Sequence, residues 1–139
     1  MVFGTFDGLH KGHLDFFRQA KNFIQNSFLI VSIARDKNVA RIKKRPPLLN
    51  EEQRMALVKN CPLVDKVVMS GVRNYLPHIL KENPDIIALG YDQKTYVSNL
   101  KKDLKNQAKK SKMRMAIKIV RLKPYKEKFY KNHLLKNKR

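Results

Sequence analysis

The chain has 139 residues, enough for one α/β domain with its own core. It carries 31 Lys and Arg against 11 Asp and Glu, a net charge of +20, and no apolar run approaches the roughly 18 residues of a membrane span. Its one cysteine, Cys61, excludes an internal disulfide; set among Val58, Leu63 and Val64, it reads as a small apolar residue in a reducing cytoplasm, not a catalytic thiol. The start lacks the charged-then-apolar pattern of a secretory signal. The basic residues fall in short clusters such as Lys43–Arg45 and Lys109–Lys110, with no finger, recognition helix or RNP-like pattern beside them. A solvated lysine-rich surface around anionic substrates is therefore favoured over nucleic-acid binding, and no membrane partner is expected.

Val2–Thr5 predicts the end of a first strand; its shortness leaves two readings open, a strand that upstream residues would extend or a sheet that tolerates a clipped strand. Leu14, Phe17, Ala20 and Ile24 fall at helical spacing and predict a helix over His13–Asn26, with Lys21 on a solvated flank. Phe28–Ala34 is a nearly continuous apolar strand of the doubly buried kind. A short helical or irregular stretch, Arg35–Lys44, leads to a loop at Pro46-Pro47. Asn50 caps the next helix, with Gln53 at the capping-box position. Val64–Met69 predicts a third strand, Asn74–Glu82 a helix stopped by Pro84, and Asp85–Gly90 a fourth strand. Gln93–Lys112 reads as a polar helix with a stripe at Val97, Leu100 and Leu104, and Met115–Leu122 as a fifth strand. A last short helix is expected near Phe129–Leu135. This alternation predicts an α/β fold: an open parallel five-stranded sheet with helices on both faces and ligands beyond the carboxyl ends of the strands. Residues 1–122 would form one domain and 123–139 a basic segment packed near the site.

Chemistry concentrates in Gly4-Thr5-Phe6-Asp7-Gly8-Leu9-His10-Lys11-Gly12-His13, where the first strand hands over to the first helix. Backbone N–H groups and the dipole of a helix N-terminus favour an anion there, and two imidazoles add donors. Gly12 allows close approach of a bulky anion. The segment implies a nucleotide-phosphate site and a reaction at phosphorus. Asp7 suits holding the N–H groups of its loop, with orientation of a magnesium–triphosphate complex as the alternative.

The string Gly-Thr-Phe-Asp-x-x-His-x-Gly-His resembles the signature of the cytidylyltransferase-like nucleotidyltransferase superfamily, a Rossmann-like fold. Further on, Ala34-Arg-Asp36, Lys43, Asn50-Glu-Glu-Gln-Arg54 and Pro84-Asp-Ile-Ile-Ala-Leu-Gly-Tyr-Asp-Gln93 look like archaeal-type single-domain FAD synthetases, which transfer AMP from ATP to FMN and release pyrophosphate. The resemblance covers roughly residues 1–122. It implies catalytic roles for His10, His13, Lys43 and Arg121. It also implies nucleotide contacts from Gly4, Thr5, Phe6, Asp7, Gly12, Lys44, Gly90 and Asp92. Arg54, Tyr91 and Gln93 would meet the acceptor, with pairing to Glu51 or Glu52 left open for Arg54. Mg²⁺ would accompany ATP, held mainly by phosphates and otherwise by Asp7 or Asp92, and a cytoplasmic homodimer is implied. Superfamily members place a Ser/Thr segment after the last arginine, but no Ser or Thr follows Arg121 here. Asn132, as a helix cap, and His133, toward phosphate, would take that place. Three rival readings stay open: a CTP-using glycerol-3-phosphate cytidylyltransferase-like enzyme, a non-catalytic nucleotide- or flavin-binding module, and a nucleic-acid-binding protein reusing the fold. His78 reads as a half-exposed helix residue rather than a ligand.

Overall fold

The computed structural model describes residues 1–71, 75–93, 99–111 and 117–125. The strands are β1 (Val2–Gly4), β2 (Ile30–Ile33), β3 (Lys66–Met69), β4 (Ile86–Leu89) and β5 (Lys118–Arg121). Between them come α1 (Lys11–Asn22), α2 (Asp36–Lys43), α3 (Glu51–Lys59), α4 (Leu76–Glu82) and α5 (Leu100–Ser111). All paired strands are parallel: β1 with β2, β2 with β3, and β4 with β5. The two ladders meet between β1 and β4. Met1 N donates to Ile86 O at 2.8 Å and Ala88 N–H donates to Met1 O at 3.0 Å, the staggered bonding of a parallel pair. The order is therefore β3-β2-β1-β4-β5, with its reversal point between β1 and β4, where such sheets bind ligands beyond the strand ends.

Side chains alternate across the sheet as the pleat requires. Val2, Val31, Ile33 and Ala88 pack with Phe17 of α1 and Val58 of α3 in one core cluster. Phe3, Ile87 and Leu89 pack on the other side with Ile79 of α4 and Leu100 and Leu104 of α5. Each strand thus feeds two cores, which explains the nearly unbroken apolar runs of β2 and β4.

Element boundaries differ from the expectations for local reasons. The first helix starts at Lys11, not His13, because the His10 side chain caps it, and it ends at Asn22, before Asn26 turns left-handed at φ 54°. Phe28 is 64% exposed, so β2 is shorter than the apolar run. Val64 and Asp65 fall in the turn before β3: Val64 N–H donates to Cys61 O, and the Asp65 carboxylate takes the Leu29 N–H and the Lys21 ammonium. Lys21 is thus ion-paired rather than merely solvated. The capping box at Asn50 and Gln53 forms as expected. Helix α4 stops at Asn83, left-handed at φ 48°, one residue before the proline expected to end it. Cys61 is buried. Val97 and the expected helix near 129–135 lie outside the described residues.

Candidate active site

The turn after β1 is built by close contacts that only these residues permit. A Cβ on Gly4 would sit 2.6 Å from Phe6 Cζ, so glycine makes room for the ring to fold back. Phe6 itself is left-handed at φ 53°. Its ring is buried, 5.3 Å from Phe17 and 5.4 Å from His13, the latter edge-on. Phe6 is thus a platform beneath a histidine, and its burial leaves only its backbone for the nucleotide contact expected of it.

The two histidines brace each other. His10 Nδ1 accepts from Gly12 N–H at 3.0 Å and from His13 N–H at 3.3 Å, while His13 Nδ1 accepts from His10 N–H at 3.2 Å. The rings stack with centroids 3.8 Å apart. Each Nδ1 needs a lone pair for these bonds, so in each ring the proton sits on Nε2. Burial, then the His10 and Lys43 charges, lower the His13 pKa to about 4. Gly12 lies between the histidines for a steric reason: a Cβ there would be 2.8 Å from His10 Cε1. That requirement stands beside the expected one, close approach of an anion.

Behind the turn, two charged side chains tie it to the loop before α3. Asp7 accepts from the N–H groups of Leu48 and Leu49, both at 2.7 Å, and these bonds, Leu49's first, hold its pKa below the ordinary value. With one N–H on each oxygen, Asp7 acts as a loop clasp, the structural role expected of it. Arg54 is 0% exposed. It donates to Thr5 O at 2.8 Å and Leu49 O at 3.1 Å, and pairs with Asp36 at 2.7 Å. Arg54 is therefore an internal strut. It does not face an acceptor, and its acidic partner is Asp36 rather than Glu51 or Glu52. Lys43, at the end of α2, is close enough for its charge to act on both His13 and Asp7. Lys44 follows as the left-handed cap of α2 at φ 58°.

Across the reversal point, Gln93 completes the sheet. The next rung between β1 and β4 would join Gly90 N–H to Phe3 O. Instead Gln93 Oε1 accepts from Gly90 and Gln93 Nε2 donates to Phe3 O, both at 2.7 Å. The bridge commits one N–H and one oxygen lone pair of its amide, which gives Gln93 a structural role beside the acceptor contact expected of it. Arg121 Nη1 donates to Gly90 O at 2.7 Å and to Gln93 O at 3.1 Å, fixing the same turn. Tyr91 and Asp92 lie exposed on that turn. A Cβ on Gly90 would lie 3.4 Å from Gln93 Cγ, ordinary contact, so the glycine leaves space rather than relieving a clash.

A largely apolar cavity of about 250 Å³ adjoins this arrangement on the α4–α5 side of the sheet. Phe3 and Gly4 form one wall, Ser32 and Ala34 another, and Tyr75 and Leu100 close it. Gly4 belongs both to the cavity and to the histidine turn, so the two spaces adjoin there.

The sequence matches the cytidylyltransferase-like family over residues 1–137. The chain belongs to that family. It is similar to a FAD synthase of Korarchaeum cryptofilum, 48% identical over 94 residues, which are 67% of this chain and 63% of that protein. The FAD synthase of Methanothermus fervidus is 40% identical over 128 residues, 91% of this chain and 83% of that one. Among solved structures, the lipopolysaccharide core biosynthesis protein from Thermoplasma volcanium superposes with a TM-score of 0.74 at 32% identity, covering 90% of this chain and 95% of that one.

In this cytidylyltransferase-like chain, Gly4 to His13 form one turn, with Lys43 near it and Gly90 to Gln93 with Arg121 across the reversal point. Asn132 and His133 lie outside the described residues. Three further groups at the site escape the sequence pattern. Ser32 is hidden in an apolar run, although a lone polar residue there is the available signal. Gln19 clasps Lys123 through both its backbone groups, each at 2.9 Å, and Tyr125 comes within 3.9 Å of a Cβ built on Gly12. Nothing in their spacing marks these last two. No group of three potential metal ligands occurs among the described residues. No helix among them is long and apolar enough to cross a membrane.

Proposed function

We propose that this protein joins AMP from ATP to FMN, making FAD and releasing pyrophosphate. The observation that carries the reading is the pair of imidazoles whose Nδ1 atoms are taken by the turn itself, leaving Nε2–H donors beside an apolar cavity. The similarity to two FAD synthases supports the same donor and acceptor.

An oxygen of the FMN phosphate attacks the α-phosphorus of ATP in line. The new P–O bond forms as the bond to the β-phosphate oxygen breaks, and the electron pair leaves with pyrophosphate. Nε2–H of His10 and His13 donate to the α-phosphate oxygens and the departing group, where charge grows. Lys43 adds a cation from the end of α2. Arg121 acts through the Gly90–Gln93 turn, and Asp92 on that turn meets the ribose or the metal that ATP carries. Mg²⁺ belongs to the ATP substrate in this reading, and Asp7 serves as the loop clasp. The cavity takes the flavin ring. At about 250 Å³ it falls below the roughly 300–1,000 Å³ of sites that hold whole drug-sized ligands, which suits a ring whose phosphate stays at the turn. The same reading includes a cytoplasmic homodimer, with residues 123–139 as a basic segment beside the nucleotide.

The test is pyrophosphate release with ATP plus FMN against CTP plus glycerol 3-phosphate. Release with the first pair alone, with FAD as product, is expected. Release with the second pair alone would keep the mechanism and overturn the acceptor.

A further inference from the structure

The cavity beside the histidine turn has a polar point in its wall that the transfer chemistry does not use. Ser32 is 1% exposed and lies on β2 between Val31 and Ile33, its side chain on the cavity side of the sheet. Its Oγ is 2.7 Å from Nε2 of His78 on α4. A hydroxyl in the middle of a strand at a sheet–helix core loses hydration unless it gains partners. One His bond does not exhaust it, since a hydroxyl has one donor and two acceptor positions. Asn38, another polar group of the cavity wall, already donates its amide to Gly71 O at 2.9 Å.

Burial, outweighing the Glu82 charge, lowers the His78 pKa, so the ring is neutral near pH 7. In the tautomer with its proton on Nδ1, the neutral ring accepts a hydrogen bond from the serine hydroxyl at Nε2, which turns the Oγ lone pairs away from α4. They are then available to a donor within the cavity.

We propose that Ser32 is a specificity residue for the acceptor. Its Oγ accepts a hydrogen bond from an imide-type ring N–H at the edge of a planar heteroaromatic ring, and His78 is the positioning residue that orients the hydroxyl. The proposal rests on the reading of the cavity as the flavin-ring site. It adds a chemical preference: the polar, N–H-bearing edge of the ring enters first, toward β2.

The experiment compares kcat/KM for FMN and for FMN methylated at the imide nitrogen, at saturating ATP. The wild-type protein is expected to prefer FMN by roughly tenfold or more, since a site built around a hydrogen bond rejects an analogue that cannot make it. In Ser32→Ala the ratio falls toward unity while the KM for ATP stays unchanged, and His78→Leu gives an intermediate ratio. A purely structural role would shift stability and leave the ratio alone. A wild-type ratio near unity, or a Ser32→Ala ratio equal to wild type, overturns the proposal; the first needs no variant to fold. Ala34→Leu, which fills the cavity from the same strand face, separates the hydrogen bond from the cavity reading beneath it. If it raises the KM for FMN while Ser32→Ala leaves the ratio intact, only the proposal falls. If it leaves the KM for FMN unchanged, the cavity reading falls and the proposal with it.

Discussion

On the β1–α1 side of the site, polar groups are engaged before any substrate arrives. His10 and His13 are bonded into the helix start, Asp7 clasps Leu48 and Leu49, and Arg54 joins Thr5, Leu49 and Asp36. The cavity side is the opposite: largely apolar walls, with polar side chains at a few points, among them Asn38, Arg41 and Ser32, whose hydroxyl is bonded to His78 behind it. The first region fixes donors in space, which suits charge that develops only during reaction. The second offers mostly shape, with a few polar points, which suits choosing an acceptor. Substitutions in the turn should therefore change turnover, and substitutions in the cavity should change preference.

The largest effect should come from the strut that holds the turn in place. Arg54→Met removes three hydrogen-bonding partners and strips Asp36 of its counter-charge. Breaking a fully buried pair costs about 3–5 kcal/mol, and because the Asp36 side chain is 36% exposed, roughly 3 kcal/mol is expected. Urea unfolding measures it; a loss below about 1 kcal/mol would mean the turn is held by other contacts. Next come the histidines. His10→Asn keeps a good N-cap but lacks the imidazole Nε2–H, and His13→Gln keeps a capping-box acceptor but replaces the ring-fixed Nε2–H by a flexible amide. Each should lower kcat roughly 10²–10³-fold with a nearly unchanged thermal midpoint. Wild-type turnover in both variants would remove the turn from the chemistry and erase the contrast with the cavity.

Much of this architecture is legible in the amino-acid sequence, and the reasons differ by region. The strand–turn–helix at residues 2–22 and the Asn50–Gln53 box are local arrangements, written in neighbouring residues, so the residue pattern locates them. The parallel sheet with helices on both faces follows from alternating elements and handedness, whereas the strand order needs the β1–β4 hydrogen bonds to fix it. Roles that depend on distant partners are not legible. Arg54 looks like a surface phosphate ligand until Thr5, 49 residues away, is seen to receive it. Gln93 looks like a ligand contact alone until Phe3, 90 residues away, is seen to accept from its amide. Ser32 and His78 meet across 46 residues and share no motif. In each case the deciding fact is a partner that only the fold supplies.

A smaller effect tests whether the turn's geometry, and not merely its residues, matters. Gly12→Ala places a Cβ against the His10 ring, which must shift to relieve a 2.8 Å contact. Alanine is also the better helix former by about 1 kcal/mol. Stability should hold or rise while kcat falls about tenfold, since small misplacements of a catalytic group are costly. Both quantities falling together would mark a general packing defect instead.

A last effect, confined to mild acid, concerns protons. The folded-state pKa of His13 is about 4, below the 6.5 of an unperturbed imidazole, because the ring is partly buried and stands near His10 and Lys43. As pH falls through 6.5 the unfolded chain takes up this proton first, so His13 withdraws stability between about pH 6.5 and about pH 4 and nothing further below that. His78 has a lowered pKa and acts in the same direction. It is present in both wild type and His13→Gln, so it cancels in their comparison. Urea midpoints of the two proteins from about pH 7 to about pH 4 should therefore diverge, the wild type falling more steeply. Parallel curves would mean that the ring is as easily protonated in the folded protein as outside it. Its Nδ1 would then carry a proton in mild acid, and the bond that His10 N–H makes to it would be lost there.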